Sequence, residues 1–184
     1  MYSGSLSDRL LKKRPSFFIA FFMVILCFLG GCQEDLAPSD SDERSVTTTS
    51  TQSFSVQDTQ GNVLELDALL DNHDAVVLYF TMWCPTCDSH MSLITREFMP
   101  EFTRVAFISV DYVSATSQQA LRAQIENGYQ GMTVVQDEGK QLTRQFNGTM
   151  ATTVVIGQEK SILLNEDFKN GARLREVLEE LPIE

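Results

Sequence analysis

The sequence runs Tyr79-Phe80-Thr81-Met82-Trp83-Cys84-Pro85-Thr86-Cys87 at the point where an apolar run meets a predicted helix. Residues 75–81 are apolar almost without a break, which is typical of a central strand buried on both faces. From Pro85 to about Phe98, apolar residues recur at spacings of three and four, which predicts a helix with one buried face. Pro85 suits the first turn of that helix, because its missing N–H is not needed there. The sequence therefore predicts a buried strand that leads directly into a helix with two cysteines at its start.

Strands and helices alternate on both sides of this segment. Two short strands, at 54–56 and 63–66, are separated by a turn and predict an N-terminal hairpin. Further strands are predicted at 105–110, 133–136, 152–156 and 161–164, and further helices at 117–127, 140–146 and about 174–181. This alternation predicts an α/β fold in which helices cover a central sheet.

The N-terminal residues predict a signal peptide at 1–31. Basic residues at 9–14 precede an apolar run at 17–29 that is short for a membrane span. The run ends in Leu29-Gly30-Gly31-Cys32, which resembles the bacterial lipoprotein signal. That resemblance implies that Cys32 is lipidated and becomes the new N-terminus. An uncleaved anchor helix is the alternative, and the polar residues that follow Cys32 at once argue against it.

A tether is predicted after the lipidated Cys32, extending to residue 52. This segment is rich in Ser, Thr and Asp and has no aromatic residue, so it cannot bury enough apolar surface to order itself. A single folded domain is then predicted over 53–184. In some bacteria the residue after the lipidated cysteine sorts the protein, and Gln33 slightly favours the outer membrane over the inner one.

The charge of the chain excludes one class of partner. The formal net charge is −11 at pH 7, whereas phosphate binding requires clustered Lys and Arg. We therefore expect no nucleic-acid partner, and the acidity is explained by solubility. The lipoprotein-like signal predicts that the domain lies on the periplasmic side of a bacterial membrane.

Three stretches together resemble the thioredoxin superfamily, and most closely its exported TlpA-like branch. These stretches are the Trp83-Cys84-Pro85-Thr86-Cys87 motif after a buried strand, the leading hairpin at 54–66, and Ala-Thr-Thr-Val-Val-Ile at 151–156. The resemblance covers about 53–184. It implies a thioredoxin-like fold with a central mixed sheet and an extra N-terminal hairpin. It also implies thiol–disulfide exchange without a cofactor, acting on protein disulfides and supplied by an upstream electron donor such as a membrane reductase.

In this family Cys84 is the nucleophile and Cys87 the resolving cysteine, and the two form the Cys84–Cys87 disulfide. A helix N-terminus stabilises a thiolate, so the pKa of Cys84 is predicted to lie below that of a free thiol. Trp83, Pro85 and Thr86 support the pair, and Trp83 is expected to pack beside the sulfurs. A purely structural disulfide is disfavoured because so small a loop contributes little stability. A zinc site is disfavoured because the chain has no second C-x-x-C.

The predicted substrate-docking loop, Met150, Ala151 and Thr152, departs from the family pattern. Relatives carry a cis-proline where this chain has Ala151. A cis bond before a non-proline residue costs about 2.5–4 kcal/mol, so a trans peptide is predicted between Met150 and Ala151, beside Cys84. On this basis Ala151→Pro is expected to restore a cis bond and to speed exchange.

Two further positions differ from relatives. Leu78 occupies the place of a buried acid, so no proton shuttle is visible there. His90 stands where TlpA-like proteins often have Glu. Since His titrates near neutral pH, His90 could handle the proton of Cys87, from which about 60° separates it around the helix. Alternatively, it is an exposed surface residue.

Two other functions remain open from the sequence. Thr81-x-x-Cys84 superficially matches a thioredoxin-fold peroxidase, although the proline of those enzymes is Val77 here. A copper(I)-binding module could use Cys84, Cys87 and His90. His90 lies about 120° around the helix from Cys84, which disfavours that triad but leaves a two-thiolate copper(I) site possible.

Overall fold

The computed structural model describes residues 49–182. The predicted signal peptide, the lipidation site Cys32 and most of the predicted tether therefore lie outside the described residues.

The seven predicted strands follow one another in the predicted order, and one helix that was not predicted lies between the second and third strands. The strands are β1 Ser55–Gln57, β2 Val63–Glu65, β3 Ala75–Thr81, β4 Val105–Asp111, β5 Thr133–Gln136, β6 Thr152–Gly157 and β7 Ile162–Asp167. The helices are α1 Leu66–Asn72, α2 Pro85–Leu93, α3 Ser117–Glu126, α4 Gln141–Phe146 and α5 Ala172–Glu179. Helix α2 continues through a π-helical turn, Ile94–Phe98, and a last α-helical turn, Met99–Glu101. Short 3₁₀ turns lie at Glu138–Lys140 and Gln158–Lys160.

The main sheet of the described domain has five strands in the order β5-β4-β3-β6-β7. Strand β3 runs parallel to β4 and antiparallel to β6, so the sheet is mixed. Strands β1 and β2 form a separate antiparallel hairpin. The predicted fold class is therefore confirmed. In the parallel register Thr81 lies opposite Asp111, so the ends of β3 and β4 meet next to the C-x-x-C segment.

Strand β3 lies at the centre because every residue from Ala75 to Thr81 is buried. Alternate side chains enter two apolar clusters. Val77 and Tyr79 join the cluster that packs against α2 and α5. Leu78 and Phe80 join the opposite cluster, which includes Phe54, Leu66, Leu142 and Phe146. The strand that carries the cysteine motif is thus held by both layers of helices.

Several boundaries differ from the predictions by a residue or two, and three differences have a specific structural cause. Leu66, predicted as the end of a strand, begins α1, because burial of Leu66 and Leu70 at a helical spacing orders a helix there. Strand β7 extends to Asp167 rather than Leu164, because it pairs with β6 as far as Thr152. The contacts of the domain begin at Thr49 rather than Ser53. The Ile162 N–H donates to the Thr49 carbonyl, and Ser50 bridges Ser161.

No helix within residues 49–182 combines the length and the apolar character that a membrane span requires.

Candidate active site

The two cysteines lie at the N-terminus of α2. Cys84 has extended backbone angles and caps the helix, and its Sγ accepts the N–H of Cys87 at 3.1 Å. Both are free thiols. Cys84 is partly exposed, whereas Cys87 is 0% exposed. Only Cys84 is therefore open to the sulfur of another molecule, and this is the arrangement that the sequence predicts.

The two thiols affect each other's ionisation. Burial, and then the hydrogen bond with the Cys87 sulfur, raise the pKa of Cys84, although the N–H groups of Cys87 and Thr86 act in the other direction. Burial also raises the pKa of Cys87, but hydrogen bonds from the Cys84 thiol and from the backbone outweigh it, and the net direction is downward. The predicted lowering of the Cys84 pKa is therefore wrong for the dithiol form.

Trp83 is fixed by a buried carboxylate. Its backbone is left-handed, with φ +59, and its N–H donates to Thr81 Oγ1 at 3.1 Å. Its indole Nε1–H donates to Asp111 Oδ2 at 2.7 Å. Asp111 is 0% exposed and also accepts the backbone N–H groups of Val113 and Ser114. Trp83 is therefore held in one orientation next to Cys84.

A buried tyrosine lies behind Cys87. The Tyr79 hydroxyl is 3.0 Å from His90 Nδ1, and the rings of His90 and Phe168 lie 4.6 Å apart between centroids. Burial, followed by the charges of Cys87 and Cys84 and a hydrogen bond with Cys87, raises the pKa of Tyr79. Burial lowers the pKa of His90. His90 is thus not the exposed surface residue of the alternative interpretation, and it is linked to Cys87 through Tyr79.

The predicted docking loop lies against Cys84. Met150 Sδ is 3.5 Å from Cys84 Sγ. Ala151 is buried, has φ +68, and is held on both sides: its N–H donates to Phe80 O at 3.0 Å, and its carbonyl accepts the Phe168 N–H at 2.7 Å. Residues 49–182 contain no cis peptide bond. The predicted trans bond between Met150 and Ala151 and the predicted position of the loop are both confirmed. Thr152 closes the loop, where its Oγ1 accepts the Thr149 N–H.

Other contacts at the first turn of α2 complete the site. Pro85 is its first helical residue, and both Pro85 and Thr86 are exposed. The Tyr129 hydroxyl donates to Asp88 Oδ1 at 2.6 Å and lies 2.8 Å from the Asp88 carbonyl. This hydrogen bond connects the first turn of α2 to the loop after α3.

The sequence reasoning missed three side chains of this site, namely Asp111, Tyr79 and Tyr129. A signal existed for Tyr79, because a tyrosine in a fully buried strand needs a partner for its hydroxyl. Asp111 carried a similar signal, as a carboxylate that ends a buried strand. No local pattern indicated Tyr129.

The described residues place no group of three or more His, Cys, Asp or Glu side chains where they could hold a metal ion. The Cys84–Cys87–His90 triad considered for copper does not come together, since His90 Nδ1 is engaged by Tyr79.

A C-x-x-C pair at the start of a helix that follows the central strand of a mixed sheet defines a thioredoxin-like oxidoreductase. The chain belongs to the AhpC/TSA family, which matches residues 48–164. A search among curated proteins gave no match.

Solved structures share the fold at low sequence identity. DsbF of Mycobacterium tuberculosis is 17% identical, with a TM-score of 0.59, over 70% of this chain and 95% of that one. A candidate thiol:disulfide interchange protein DsbE from Chlorobium tepidum is also 17% identical, with a TM-score of 0.60, over 71% and 94%. The peroxidoxin BcpB of M. tuberculosis is 20% identical, with a TM-score of 0.55, over 73% and 94%. These likenesses establish the fold.

Proposed function

We propose that this protein is an extracytoplasmic, membrane-anchored thiol–disulfide oxidoreductase that exchanges disulfides with protein partners through Cys84 and Cys87. The observation that carries this proposal is the asymmetry of the pair. One free thiol is accessible at a helix N-terminus, and the other is buried directly behind it. A nucleophile must reach a partner's disulfide, whereas a resolving thiol needs to reach only its neighbour.

The reaction begins with attack by Cys84. Its sulfur bonds to one sulfur of the partner's disulfide and the partner's S–S bond breaks. The partner's other sulfur is released as a thiolate, while the partner stays bound to Cys84. Cys84 gives up its thiol proton in this step, its Sγ accepts the Cys87 N–H at the helix N-terminus, and the partner's released thiolate takes up a proton. The product is a mixed disulfide with Cys87 as a neutral thiol.

Resolution requires Cys87 to lose its thiol proton. The thiolate of Cys87 then attacks Cys84, the mixed disulfide breaks, and the partner leaves with a second thiol. Two electrons have passed to the partner, and Cys84–Cys87 has become a disulfide. Tyr79 is the hydroxyl next to Cys87, and His90 is its hydrogen-bond partner. Together Tyr79 and His90 offer a path for the proton of the Cys87 thiol. Leu78, which stands in place of the family's buried acid, cannot accept a proton. An upstream donor, such as a membrane reductase, would return two electrons.

The surface around Cys84 suits a protein partner. Met82 and Met150 flank the cysteine, and each is 42% exposed. Methionine side chains adapt to irregular apolar surfaces, so this rim fits an unfolded or flexible segment next to a disulfide.

The anchor and the location rest on the sequence. Lipidation at Cys32, after the signal at 1–31, would hold the domain on the periplasmic side of a bacterial membrane, with the outer membrane slightly favoured. Mass spectrometry of the protein from its own cells tests this directly. We expect an N-terminal acylated Cys32, and a chain that retains Met1 would contradict it.

Trapping tests the exchange reaction. The Cys87→Ser variant removes the resolving thiol, so mixed disulfides with Cys84 should accumulate in cells and be released by reductant. The matched control is Cys84→Ser, which retains only the buried cysteine of the pair and should trap nothing. Equal trapping by both variants would contradict the assigned roles.

A second candidate is peroxide reduction, which is favoured by the fold shared with the peroxidoxin. Cys84 would attack the peroxide O–O bond and become a sulfenic acid as an alcohol or water leaves. Cys87 would then displace water to form the disulfide. Peroxide consumption by the reduced protein, compared with its reduction of a protein disulfide, decides between the candidates.

A further inference from the structure

A thioether lies beside the reactive thiol. Met150 Sδ is 3.5 Å from Cys84 Sγ, and the backbone on its C-terminal side is fixed by the two hydrogen bonds of Ala151. The fold therefore positions the Met150 sulfur next to Cys84, because the loop that carries Met150 is held by hydrogen bonds.

The third sulfur at this point belongs to Cys87. Cys87 lies one helical turn on, and its backbone N–H donates to Cys84 Sγ at 3.1 Å, so Cys84 has a sulfur-bearing residue on two sides. His90 is directed to Tyr79, and no His, Asp or Glu completes a cluster with the two cysteines within the described residues. The available donors at this point are thus two thiols and one thioether.

Thiolates and thioethers are soft ligands, which select copper(I) over magnesium, calcium or manganese. We infer that the reduced protein binds one copper(I) ion through Cys84 Sγ, Cys87 Sγ and Met150 Sδ. This inference goes beyond the proposed function. Both thiols bind as thiolates, so binding releases two protons and leaves copper in the same oxidation state.

The partial exposure of Cys84 and Met150 gives the ion a route in from solvent. Copper(I) and a partner disulfide would exclude each other, because both require the same thiolates. A chelator that removes copper(I) should then restore exchange.

The experiment uses the reduced protein without oxygen, titrated with copper(I) in competition with a chromogenic copper(I) chelator. The wild type should bind one ion per chain. Met150→Leu, which replaces the thioether by an apolar side chain of similar size, should weaken the affinity by at least about tenfold. Met82→Leu is the matched control. Met82 is as exposed as Met150, but within residues 49–182 the methionine sulfur that contacts Cys84 Sγ is that of Met150. The Met82→Leu variant should bind as the wild type does.

X-ray absorption gives a second measurement that does not depend on the variants. It should show three sulfur neighbours for copper in the wild type and two in Met150→Leu. Two sulfur neighbours in the wild type, or equal affinities for both leucine variants, would overturn the inference. Thiol exchange is assayed separately without copper, so a failure of the proposed function would be seen apart from a failure of this site.

Discussion

The two cysteines lie one helical turn apart, yet their surroundings are opposite. On the Cys84 side, defined by Cys84, Met82 and Met150, side chains are partly exposed and rich in sulfur. On the Cys87 side, defined by Cys87, Tyr79 and His90, side chains are buried or half-buried, and the polar atoms are hydrogen-bonded. Under the proposed function this difference separates two tasks within one short motif, because contact with a partner needs exposure and control of a proton needs exclusion of water.

This separation follows from the position of the motif at the end of β3. Tyr79 points into the apolar cluster under α2, and its hydroxyl lies 3.0 Å from His90 Nδ1 on that helix. Cys84 lies beyond the last residue of the strand, where the layers of helices no longer cover it.

The largest expected effect comes from Cys84→Ser, which removes the accessible thiol of the Cys84–Cys87 pair. Reduction of a protein disulfide should fall to the uncatalysed rate, while the free energy of unfolding changes little because the side chain is partly exposed. Activity measured beside chemical denaturation checks both. Retained activity would mean that the Cys87 side is open to partners after all.

The next effect is expected from Ala151→Pro. The sequence alone suggests that proline would restore the family loop and speed exchange, but the structure reverses that expectation. Proline fixes φ near −65°, whereas Ala151 has φ +68 and donates its N–H to Phe80. The change should cost about 3 kcal/mol or more of stability and displace Met150 from Cys84. Denaturant unfolding measures the loss, and Ala151→Gly, which tolerates positive φ, is the control that should not destabilise.

Trp83→Phe tests how firmly the Cys84 side is held. The change removes the donor to Asp111, which is fully buried, and should cost about 1–3 kcal/mol. Urea unfolding followed by circular dichroism measures it. In a double-mutant cycle with Asp111→Asn the two losses should not add, because both variants break the same bond. Additive losses would show that the indole acts through packing alone.

These contacts show where the sequence is informative. The continuous apolar run at Ala75–Thr81 and the motif after it specify the central strand and the site, since burial on both faces leaves a local pattern. For Trp83–Asp111 and Tyr79–His90, the buried positions of Tyr79 and Asp111 indicate that each needs a polar partner, but no local pattern identifies that partner. Both pairings depend on the parallel register of β3 with β4 and on the angle of α2 over the sheet, which only the packed structure fixes. Helix α1 was missed because Leu66 continues the apolar pattern of β2.

Tyr79→Phe tests the Cys87 side with the least change of shape. Loss of the hydroxyl breaks the link between Cys87 and His90, so resolution of the mixed disulfide should slow by about tenfold, or about 1.4 kcal/mol in the barrier. The initial attack by Cys84 should change by less than about twofold. Rapid mixing with a model disulfide separates the steps. His90→Ala should slow the same step, and the double variant should be no slower than Tyr79→Phe. Slowing of the attack step instead would place Tyr79 in a different role.

The smallest effect is expected in the ionisation of Cys84 after Cys87→Ala. In the dithiol form, the hydrogen bond with Cys87 and the charge of its sulfur are among the groups that raise the pKa of Cys84. Alanine removes both but keeps the backbone N–H groups of residues 86 and 87, which act in the opposite direction. The pKa of Cys84 should therefore fall relative to the wild type, although burial still raises it.

At a pH below that pKa, a larger fraction of Cys84 is thiolate in the variant than in the wild type, so alkylation of Cys84 should be faster in the variant. The dependence of the alkylation rate on pH measures the shift for both proteins. In the wild type Cys84 should still react before Cys87, because accessibility favours it even though ionisation does not. A pKa that stays the same or rises in Cys87→Ala would show that the Cys87 side chain does not raise the pKa of Cys84.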